Sequence, residues 1–561
     1  MSHKILRIAP AEPALQNKLS KELGISPLLT QILINRGITS LTTAQHFLNV
    51  RTEDFLDPYS FPSMHKAVSR IKRAAERKEK VMICGDYDVD GITAVALLKG
   101  VLAARKINVM HYLPHRVKEG YGLTRNIAHI AKDKGVKLII TVDCGTSNHK
   151  QISELKSKGI DTIITDHHQP QDAPLPDALA VINPKTKDAN YKFRELAGVG
   201  VAYKLAQALE NSTLLNELDL VALGTIADSV PLTGENRIIA KEGLKRISST
   251  ERPGIKVLIE NAGLQDKKFT ATYVSFILGP RINASGRMDT ADTSLKLLMS
   301  SSQEEAEGLA KIVEQHNRER QKIESKVLEE ARAMIDKEVN FKEHKVIVLA
   351  KEDWHQGVLG IVASKLADRF YRPAIVISIN DKLCKGSARS IKNFHLFNAL
   401  INCRQFLDSF GGHAHAAGLL ITKDSIEDFK RSINRIAHER LSLDDLLPSI
   451  DIDMEIKFAD LNEEIIGGLE VLEPFGYGNP EPLFYTRGLK LRGEPQTLSR
   501  DTLKFWVTDG NLTFQAIGFG MGSLRDSLEA ASGFDLVYTP RMDNWRGSTG
   551  ILLEIKDIFF R

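Results

Sequence analysis

Two hydrophobic patterns alternate along the first half of this chain. Between residues 81 and 183, short runs of β-branched and aliphatic residues are separated by longer segments whose apolar positions recur at helical spacing. Short apolar runs are typical of buried strands, and the longer segments are typical of amphipathic helices. Because strand, helix and strand follow one another at this spacing, the pattern predicts an open parallel α/β sheet. The predicted strands are VMIC, INVMHYL, KLIITV, DTIIT and ALAVI.

A long segment with few helix breakers follows a second helical region. Residues 302–339 contain many Glu, Lys and Arg residues, with apolar positions at helical spacing. If it is helical throughout, this segment spans roughly 55 Å at about 1.5 Å per residue, which is long enough to bridge two lobes. Two helices with a bend near residues 315–317 are the alternative.

Two more folded regions are predicted after the long segment. Residues 345–440 repeat the α/β pattern and end in a glycine-rich stretch, FGGHAHAAG, whereas five strand-like runs with one helical insert after residue 450 favour a small closed barrel of the OB type. We therefore expect a multidomain α/β protein, in which an open parallel-sheet domain is joined by a long helix to a smaller α/β domain, with a C-terminal β-barrel. The expected boundaries are 1–50 for an N-terminal helical cap, 51–240 for the first α/β domain, 241–340 for the helical region and long helix, 341–440 for the second α/β domain and 450–561 for the barrel.

Composition excludes several classes of protein. The chain has 561 residues, 42% hydrophobic and 26% charged, so we expect several packed domains and no largely disordered chain. No apolar run is long enough to span a membrane and no signal peptide precedes the first domain, so we expect a cytoplasmic protein. Four widely spaced cysteines predict reduced thiols, not a zinc site or a disulfide framework. The net charge of +4 permits nucleic acid as a partner without indicating it.

The densest acidic cluster is the string GDYDVDG, directly after the first predicted strand. Alternation at i and i+2 predicts that Asp88 and Asp90 point to one side at the carboxyl end of that strand, where open α/β sheets bind their ligands. This geometry suits a metal ion. An acidic turn that caps the next helix is the alternative.

Further candidate ligands follow other predicted strands and one helix. Asp143 ends KLIITV, the triplet Asp166, His167 and His168 ends DTIIT, and Asp228 lies in LGTIADSVPL. Each residue alone has an ordinary structural explanation, but together they would crowd negative charge into one cleft at a cost that divalent cations offset. Oxygen ligands with an imidazole favour Mn²⁺ or Mg²⁺. Two such ions suit phosphoryl transfer by a metal-activated water, and the absence of a GxxxxGK[ST] loop argues against ATP hydrolysis.

These residues resemble a known family. Asp88-x-Asp90, Asp143, the triplet at 166–168 and Asp228 resemble motifs I to IV of the DHH phosphoesterases. The longer strings CGDYDVDGITAVALL, VDCGTS, TDHHQP and LGTIADSVPL are similar to the bacterial single-strand-specific 5′→3′ exonucleases of that superfamily. In the second α/β region, WHQGVLGIV, GSAR and GGHAHAAG resemble the partner domain called DHHA1.

The resemblance implies a two-metal site of Mn²⁺ or Mg²⁺ in which Asp143 bridges the ions. Many small-substrate members of the superfamily have His where this chain has Cys84, whose thiol is either a ligand or, as we expect, a small buried group at a strand end. The implied roles are Asp90, Asp143, His167 and Asp228 as ligands of one ion, Asp88 and Asp143 as ligands of the other, His168 facing the substrate phosphate, and Asp86 and Asp166 orienting ligands or waters.

The resemblance also suggests where DNA is bound. We expect Ser387 and Arg389, in a glycine-flanked turn, to bind a terminal 5′-phosphate through a hydroxyl and a guanidinium fork. Arg281 is expected to stabilise charge near the scissile group as well as to contact the backbone. The other expected DNA contacts are Gly411, Gly412 and His413, for which a tight turn before a strand is the alternative, together with Asn283, Arg287 and Arg116.

In the barrel, aromatic residues are interleaved with Lys and Arg, as unpaired nucleic acid requires. We expect most of these rings to face the core and one or two to stack on bases; the candidates are Phe505, Trp506, Phe514, Phe519, Tyr538 and Trp545, among cations that include Arg492, Lys504 and Arg546. On the long helix, Arg318, Arg320 and Lys322 either line a DNA groove or form a solvated face. The pair Gly198 and Gly200 is interpreted as helix packing.

Together these features predict a metal-dependent exonuclease. It would thread single-stranded DNA from the 5′ end between two lobes and release mononucleotides in DNA repair and recombination. The alternatives are a DHH phosphodiesterase for short oligonucleotides or cyclic dinucleotides, and a non-catalytic single-strand-binding replication factor. We expect single-stranded DNA as the partner, a single-strand-binding protein and a helicase as candidate protein partners, no membrane association and a monomer.

Overall fold

The structure, a computed structural model, describes residues 4–170, 174–380, 382–543 and 550–561. These residues divide into two compact units. The first unit comprises residues 56–229 and 242–448, and the second comprises residues 4–55, 230–241 and 449–561.

The N-terminal segment begins with a strand before it becomes helical. The strand β1 runs in parallel beside residues 449–452, far along the chain. The helical interpretation of residues 1–50 missed this strand because four residues are too few to show a period, and the pairing partner is remote. The elements of this segment are β1 (Ile5–Ile8), α1 (Pro13–Leu23), α2 (Pro27–Asn35) and α3 (Leu41–Leu48).

The first α/β region is the predicted open sheet. All five strands are parallel, in the order β3-β2-β4-β5-β6. The central strands are largely apolar and buried, as is typical of parallel sheets covered on both faces, and their carboxyl ends share one edge. The elements are α4 (Met64–Glu76), β2 (Lys80–Cys84), α5 (Val89–Ala104), β3 (Asn108–Tyr112), α6 (Ile127–Asp133), β4 (Val136–Val142), α7 (His149–Ser157), β5 (Asp161–Thr165) and β6 (Ala180–Ile182).

The region that follows is helical and ends in one uninterrupted helix of 36 residues. The single-helix interpretation is therefore confirmed over the bent alternative. Within the described residues, no helix has both the length and the apolar character needed to cross a bilayer. The elements are α8 (Gly198–Glu210), α9 (Leu218–Ala227), α10 (Gly234–Ser248), α11 (Pro253–Asn261), α12 (Ala271–Tyr273), a π-helical turn (Val274–Leu278), α13 (Gly279–Met288), α14 (Asp292–Leu298) and α15 (Gln303–Glu338).

The long helix α15 connects the two α/β regions, as predicted. Its middle contacts α13, where Glu314 pairs with Arg281. Near its C-terminal end, Val327, Ala331 and Ile335 share a buried core with the second α/β region.

The second α/β region is a mixed sheet in the order β10-β11-β9-β8-β7. Only β7 and β8 run parallel, and the other neighbours are antiparallel. Ser387 and Arg389 lie in strand β9, so their expected placement in a turn is wrong; cross-strand pairing on both sides of β9 overrides the local glycine signal. The elements are β7 (Ile347–Glu352), α16 (Leu359–Phe370), β8 (Ala374–Ile379), β9 (Leu383–Arg389), α17 (Leu396–Asn402), β10 (Ser409–Gly412), β11 (Ala416–Thr422) and α18 (Ile426–Arg440).

The C-terminal region contains the predicted closed barrel. Its strands follow the order β13-β14-β15-β16-β18-β17, and β17 pairs back onto β14, which closes a ring of five strands. Closure removes the exposed sheet edges. The elements are β12 (Ser449–Ile452), β13 (Met454–Glu455), α19 (Glu463–Leu469), β14 (Phe484–Leu498), β15 (Thr502–Thr508), β16 (Thr513–Gly518), α20 (Arg525–Ala530), β17 (Phe534–Asp543) and β18 (Gly550–Phe560).

The barrel shares its hydrophobic core with the N-terminal helices. Leu33 and Phe47 belong to the same buried cluster as the barrel residue Phe484. The guanidinium of Arg237, which is 1% exposed, donates to the carbonyls of Phe47 and Leu472 and so ties the three stretches of this unit together. Removing the chain after residue 450 would therefore expose this core, and a barrel function is better tested with point variants.

Candidate metal centre

Strand ends of the first sheet and the end of α9 bring the predicted acidic and His residues together. The loops after β2, β4 and β5 carry most of them, and Asp228 lies at the C-terminal end of α9. They form overlapping groups whose potential ligand atoms lie within 4.8 Å of one another. The groups are Asp90, His167 and Asp228; Asp143, His167 and His168; and Asp86, Asp88 and Asp143.

The imidazole of His167 lies at the centre of the first group. Its Nε2 atom is 3.1 Å from Asp143 Oδ1, 3.7 Å from Asp228 Oδ2 and 3.8 Å from Asp90 Oδ2. Burial lowers the pKa of His167 to about 3, and the charge of His168 adds to the effect. The ring is therefore neutral at physiological pH, which is the form that binds a metal ion.

Asp88 and Asp90 lie on the first turn of α5 instead of alternating along a strand. The Asp88 side chain caps α5 by accepting from the backbone N–H groups of Asp90 and Gly91. The capping alternative is thus right for Asp88, although the same carboxylate also belongs to a candidate metal group. The expected strand geometry is wrong because the helix begins one residue before Asp90. The two side chains consequently join different groups.

The start of helix α8 holds Asp90 in place. The backbone N–H groups of Gly198 and Val199 donate to the two Asp90 oxygens, at 2.6 and 2.7 Å. A Cβ atom on Gly198 would lie 2.6 Å from the Asp143 carboxylate, so glycine is needed for this close approach. The packing interpretation of Gly198 was therefore incomplete. The sequence did contain a signal for this contact. Helix α8 begins with small residues, and the N-terminus of a helix attracts a carboxylate such as that of Asp90.

Asp143 occupies a strained turn at the end of β4. Its φ angle is +58°, in the left-handed region that few residues other than Gly, Asn and Asp adopt. Hydrogen bonds hold the turn on both sides, because the Asp143 N–H donates to the Thr165 carbonyl and the Tyr121 hydroxyl donates to the Asp143 carbonyl. Such strain persists where the surroundings fix it, typically at functional sites. No catalytic motif in the sequence points to Tyr121.

The buried Asp166 and the partly exposed His168 form a charged pair. Asp166 Oδ1 lies 2.8 Å from His168 Nδ1, and Oδ2 accepts from the Thr146 N–H. Burial opposes ionisation of Asp166, but hydrogen bonds and neighbouring charges, led by those of His168, together outweigh it and hold the pKa of Asp166 below its usual value. Burial likewise opposes protonation of His168, but Asp166 together with the charges of Asp88 and Asp90 raises the pKa of His168. This pairing fits an orienting part for Asp166.

The remaining carboxylates fit a divalent cation. Burial and then neighbouring carboxylates raise the pKa of Asp86, Asp143 and Asp228 well above its usual value, and raise that of Asp90 to about 7. Asp86 Oδ1 is buried without a hydrogen-bond donor among the described residues. Several buried carboxylates around one neutral imidazole are a donor set for Mn²⁺ or Mg²⁺. Cys84 is buried at the end of β2, as expected for a small strand-end residue.

The raised pKa values predict that stabilisation by metal depends on pH. A carboxyl group whose pKa is higher in the folded than in the unfolded state costs no stability at low pH, where it is protonated in both states. It destabilises the folded state at higher pH, where it must ionise in the folded protein. The metal-free protein should therefore lose stability as pH rises from about 4 through 7. Because Mn²⁺ binds the ionised groups, we expect it to raise Tm by several degrees more at pH 8 than at pH 5.5.

Thermal unfolding at both pH values, with and without Mn²⁺, checks this expectation. As a control, Asp228→Asn should raise the Tm of the metal-free protein at pH 8 and reduce the shift that Mn²⁺ causes. A Mn²⁺ shift of equal size at both pH values would show that these carboxylates do not bind the ion.

Basic side chains from both α/β regions lie beside the acidic cluster. The Arg116 guanidinium lies 4.6 Å from the centre of the Tyr87 ring, and Arg287 donates to the Gly357 carbonyl. Burial lowers the pKa of Arg287 to about 9, and the nearby charges of Arg116 and Arg389 add to the effect. Cations held this close to one another are suited to a phosphate group.

Ser387 and Arg389 converge on the start of helix α16. They are two residues apart on β9 and so share one face of the strand. A Cβ atom on Gly360 would lie 3.1 Å from Ser387 Oγ and 3.4 Å from Arg389 Nη2. The hydroxyl, the guanidinium and the N-terminal turn of α16 thus lie together, which suits an anion.

Other predicted DNA contacts have structural partners. Arg281 pairs with Glu314 at 2.9 Å, and Asn283 accepts from the backbone N–H of Val89, which supports the acidic loop. Arg320 is buried and bonded to Glu324, so the solvated-face alternative is wrong for it, and the groove-lining alternative stays a prediction. DNA-binding roles for Arg281 and Asn283 stay predictions.

The glycine-rich stretch forms a strand pair. Gly411 and Gly412 lie in β10 opposite Gly418 and Ala417, so the tight-turn alternative is wrong for these two residues. The His413 ring stacks near His168, with 6.3 Å between ring centres. This places His413 beside the metal groups, within the same compact unit.

The aromatic residues of the barrel fall into a buried group and an exposed group. Phe505 and Tyr538 are buried in the core, and Phe514 packs against it. Trp506 and Phe519 are exposed, by 48% and 63%. They are the candidates left for stacking on bases. The predictions for Trp545 and Arg546 fall outside the described residues.

Family models match most of the folded regions described above. A "DHH family, N-terminal domain" model matches residues 80–225, a "DHHA1 domain" model matches residues 343–439, and a "RecJ OB domain" model matches residues 452–557. The fold and the metal centre thus define a phosphoesterase of the DHH class.

A curated relative narrows this class. The "Single-stranded-DNA-specific exonuclease RecJ" of Bacillus subtilis (strain 168) is 40% identical over 542 residues, which cover 96% of this chain and 69% of the relative. The chain belongs to the RecJ family.

Solved structures agree with this assignment. The crystal structure of RecJ from Thermus thermophilus in complex with Mn²⁺ has a TM-score of 0.85 and 28% identity, and covers 99% of this chain and 80% of that one. The corresponding complex with Mg²⁺ has a TM-score of 0.79 and 26% identity, with coverage of 99% and 78%. A divalent-metal site in this chain is in keeping with both.

Proposed function

We propose that this protein is a metal-dependent exonuclease that degrades single-stranded DNA from the 5′ end to mononucleotides, in DNA repair and recombination. The observation that carries the proposal is the juxtaposition of the acidic and His cluster with the Arg116, Arg287 and Arg389 group in one compact unit. The cluster suits hydrolysis of a phosphodiester, and the arginines suit a terminal phosphate next to it.

The proposed residue roles follow from this arrangement. Asp88, Asp90, Asp143, His167 and Asp228 would hold two Mn²⁺ or Mg²⁺ ions. Bound metal would supply a water with lowered pKa and offset charge on the scissile phosphate. Asp86 and Asp166 would orient these groups, and His168 would face the substrate.

The arginine group also accounts for repeated cleavage from one end. Arg389 and Ser387 would hold the terminal 5′-phosphate while the next phosphodiester lies at the cluster. Hydrolysis that breaks the P–O3′ bond leaves a new 5′-phosphate on the remaining strand. Each product strand is then a substrate for the same contacts.

Digestion of long strands labelled at either end, with and without a duplex that blocks the 5′ end, tests the proposal. We expect early release of 5′-labelled mononucleotides under Mn²⁺ and protection by the 5′ duplex. Release from the 3′ end, or a preference for dinucleotides and cyclic dinucleotides over long strands, would contradict it.

Three further sequence predictions belong to the same proposal. They concern a cytoplasmic location, a monomeric state, and a single-strand-binding protein with a helicase as protein partners. We also retain the predicted domain division as a working description. Co-purification and light scattering would test the partners and the oligomeric state.

An exposed face of the barrel is proposed to bind the strand. On this face Arg492 of β14 and Gln515 of β16 flank Trp506 of β15 directly. We expect Trp506→Ala to weaken binding of a 30-nucleotide strand by about five- to hundredfold, since stacking contributes about 1–3 kcal/mol per base. Cleavage of dinucleotides should be unchanged.

Fluorescence anisotropy with labelled strands measures this effect. Val471→Ala is a matched control, because Val471 is an apolar residue exposed by 48%, the same fraction as Trp506, and lies outside the barrel strands. Equal affinity of wild type and Trp506→Ala would remove Trp506 from the binding surface.

A further inference from the structure

A loop at the end of β6 carries a cation, Lys185, that lies outside the motifs of the sequence. The residues Asn183, Pro184 and Lys185 directly follow the strand. Because β6 runs parallel to β5, this loop lies at the same edge of the sheet as the loops that carry the metal groups. The position is one where open α/β sheets bind their ligands.

Hydrogen bonds fix the backbone of this loop. The Asn183 side chain accepts from the Lys185 N–H at 2.8 Å and donates to the His168 carbonyl at 2.9 Å. On the other side, Arg194 donates to the carbonyls of Pro184 and Thr186. These hydrogen bonds fix the backbone of Lys185 relative to the segment that carries His168. The position of the Lys185 Cα atom is therefore well defined.

Among the residues that the structure describes, the half-buried Lys185 side chain makes no hydrogen bond or ion pair. Its charge nevertheless contributes to lowering the pKa of His167 and of His413, after the larger effect of burial, and it opposes the rise in the pKa of Asp228. This agrees with the geometry, because Asn183, which bonds both the Lys185 N–H and the His168 carbonyl, places the loop on the His167 and His168 side of the cluster.

The strand order places these cations at opposite ends of the acidic cluster. Arg116 lies over the ring of Tyr87 in the loop after β2, whereas Lys185 follows β6. The strands β4 and β5, whose ends carry Asp143 and His167, lie between β2 and β6. The metal groups are thus flanked by the arginine group on one side and by Lys185 on the other.

We propose that Lys185 binds the phosphate on the 3′ side of the scissile phosphodiester. This inference rests on the proposed function. It adds which group of the protein binds which phosphate of the strand. The arginine group holds the terminal 5′-phosphate, the cluster holds the scissile phosphate, and Lys185 with its unpaired ammonium holds the next one. His413, from the second α/β region, lies on the same side. A strand held at three successive phosphates is positioned for removal of one nucleotide.

Substrates of defined length isolate this contact. A 5′-phosphorylated dinucleotide has only the terminal and scissile phosphates, whereas the trinucleotide adds one phosphate on the 3′ side. With Mn²⁺ present, we expect kcat/KM of the wild type to rise about tenfold from dinucleotide to trinucleotide, as one charge-assisted contact allows. In Lys185→Gln this rise should disappear, so that cleavage of the trinucleotide falls about tenfold more than cleavage of the dinucleotide.

Two variants and one binding measurement complete the test. Lys185→Arg should keep most of the rise, and Lys187→Gln, an exposed lysine two residues away, should keep all of it. In EDTA, where no turnover occurs, the salt dependence of affinity for a long strand should flatten by about 0.7 in log–log slope for Lys185→Gln, as expected for one lost phosphate.

The outcomes separate this inference from the proposed function. If Lys185→Gln slows dinucleotide and trinucleotide equally, or keeps the tenfold rise, the inference is wrong and the exonuclease function stands. If kcat/KM of the wild type does not rise from dinucleotide to trinucleotide, the inference about Lys185 is likewise wrong and the exonuclease function stands. If the wild type degrades no single strand from its 5′ end, the proposed function fails and the inference with it.

Discussion

An Asp143→Asn variant is expected to lose hydrolysis of single-stranded DNA by about a thousandfold or more, which is roughly 4 kcal/mol of barrier. Asp143 belongs to two of the candidate metal groups, so neutralising it would disturb both of the proposed ion sites. Asn is a better replacement than Ala, because Asn tolerates the φ angle of +58° at this position. Asp143→Ala should lose activity as well, with added backbone strain.

Single-turnover kinetics under saturating Mn²⁺ measure this loss. Binding of single strands and the far-ultraviolet circular dichroism spectrum should remain close to those of the wild type. Asp133→Asn, at an exposed position on α6, is the matched control and should retain full activity. A variant at position 143 that keeps more than about a tenth of wild-type kcat, within about 1.4 kcal/mol, would contradict the bridging assignment.

Arg389→Ala should selectively slow digestion of strands that carry a 5′-phosphate. The guanidinium lies beside Ser387 at the start of α16, where a terminal phosphate with its extra negative charge is favoured over an internal phosphodiester. Losing a charge-assisted contact of about 1.5–3 kcal/mol corresponds to roughly ten- to hundredfold in kcat/KM. A strand with a 5′-hydroxyl should lose much less.

The measured quantity is the ratio of kcat/KM for phosphorylated over unphosphorylated strands, at constant salt and Mn²⁺. Arg389→Lys should recover part of the ratio, because Lys keeps the charge without the fork geometry. Arg404→Ala, an exposed arginine of the same region, should leave the ratio unchanged. If Arg389→Ala slows both strands equally, Arg389 contacts an internal phosphate or supports the fold, and Arg116 becomes the better candidate for reading the end.

Much of the fold and the position of the metal centre were predictable from local signals. Each strand of the first sheet contains a short apolar run, and a parallel sheet places the carboxyl ends of its strands at one edge. Residues such as Asp143 and Asp166, each directly after a strand, therefore had to lie near one another. The length of α15 was equally predictable, because its periodicity continues without a breaker.

Other features of the site depend on contacts between remote residues. Asp90 is held by the N–H groups at the start of α8, 108 residues further along the chain, and nothing near Asp90 in the sequence indicates this partner. Tyr121 and Lys185 escaped notice for the same reason, since neither lies in a dense acidic or His-rich motif. Their relevance comes from the elements packed around them.

The sequence by itself determined the order of strands and helices, the family, and the edge of the sheet where the acidic residues lie, because hydrophobic periodicity and motif spacing are properties of neighbouring residues. Only the tertiary structure decided that the N-terminal helices share the barrel core, that Trp506 faces solvent while Phe505 is buried, and that Arg389 lies on a strand beside α16. These outcomes depend on which residues remote in sequence pack together. Such contacts are determined by hydrophobic burial and strand pairing across the whole chain, which local sequence patterns do not contain.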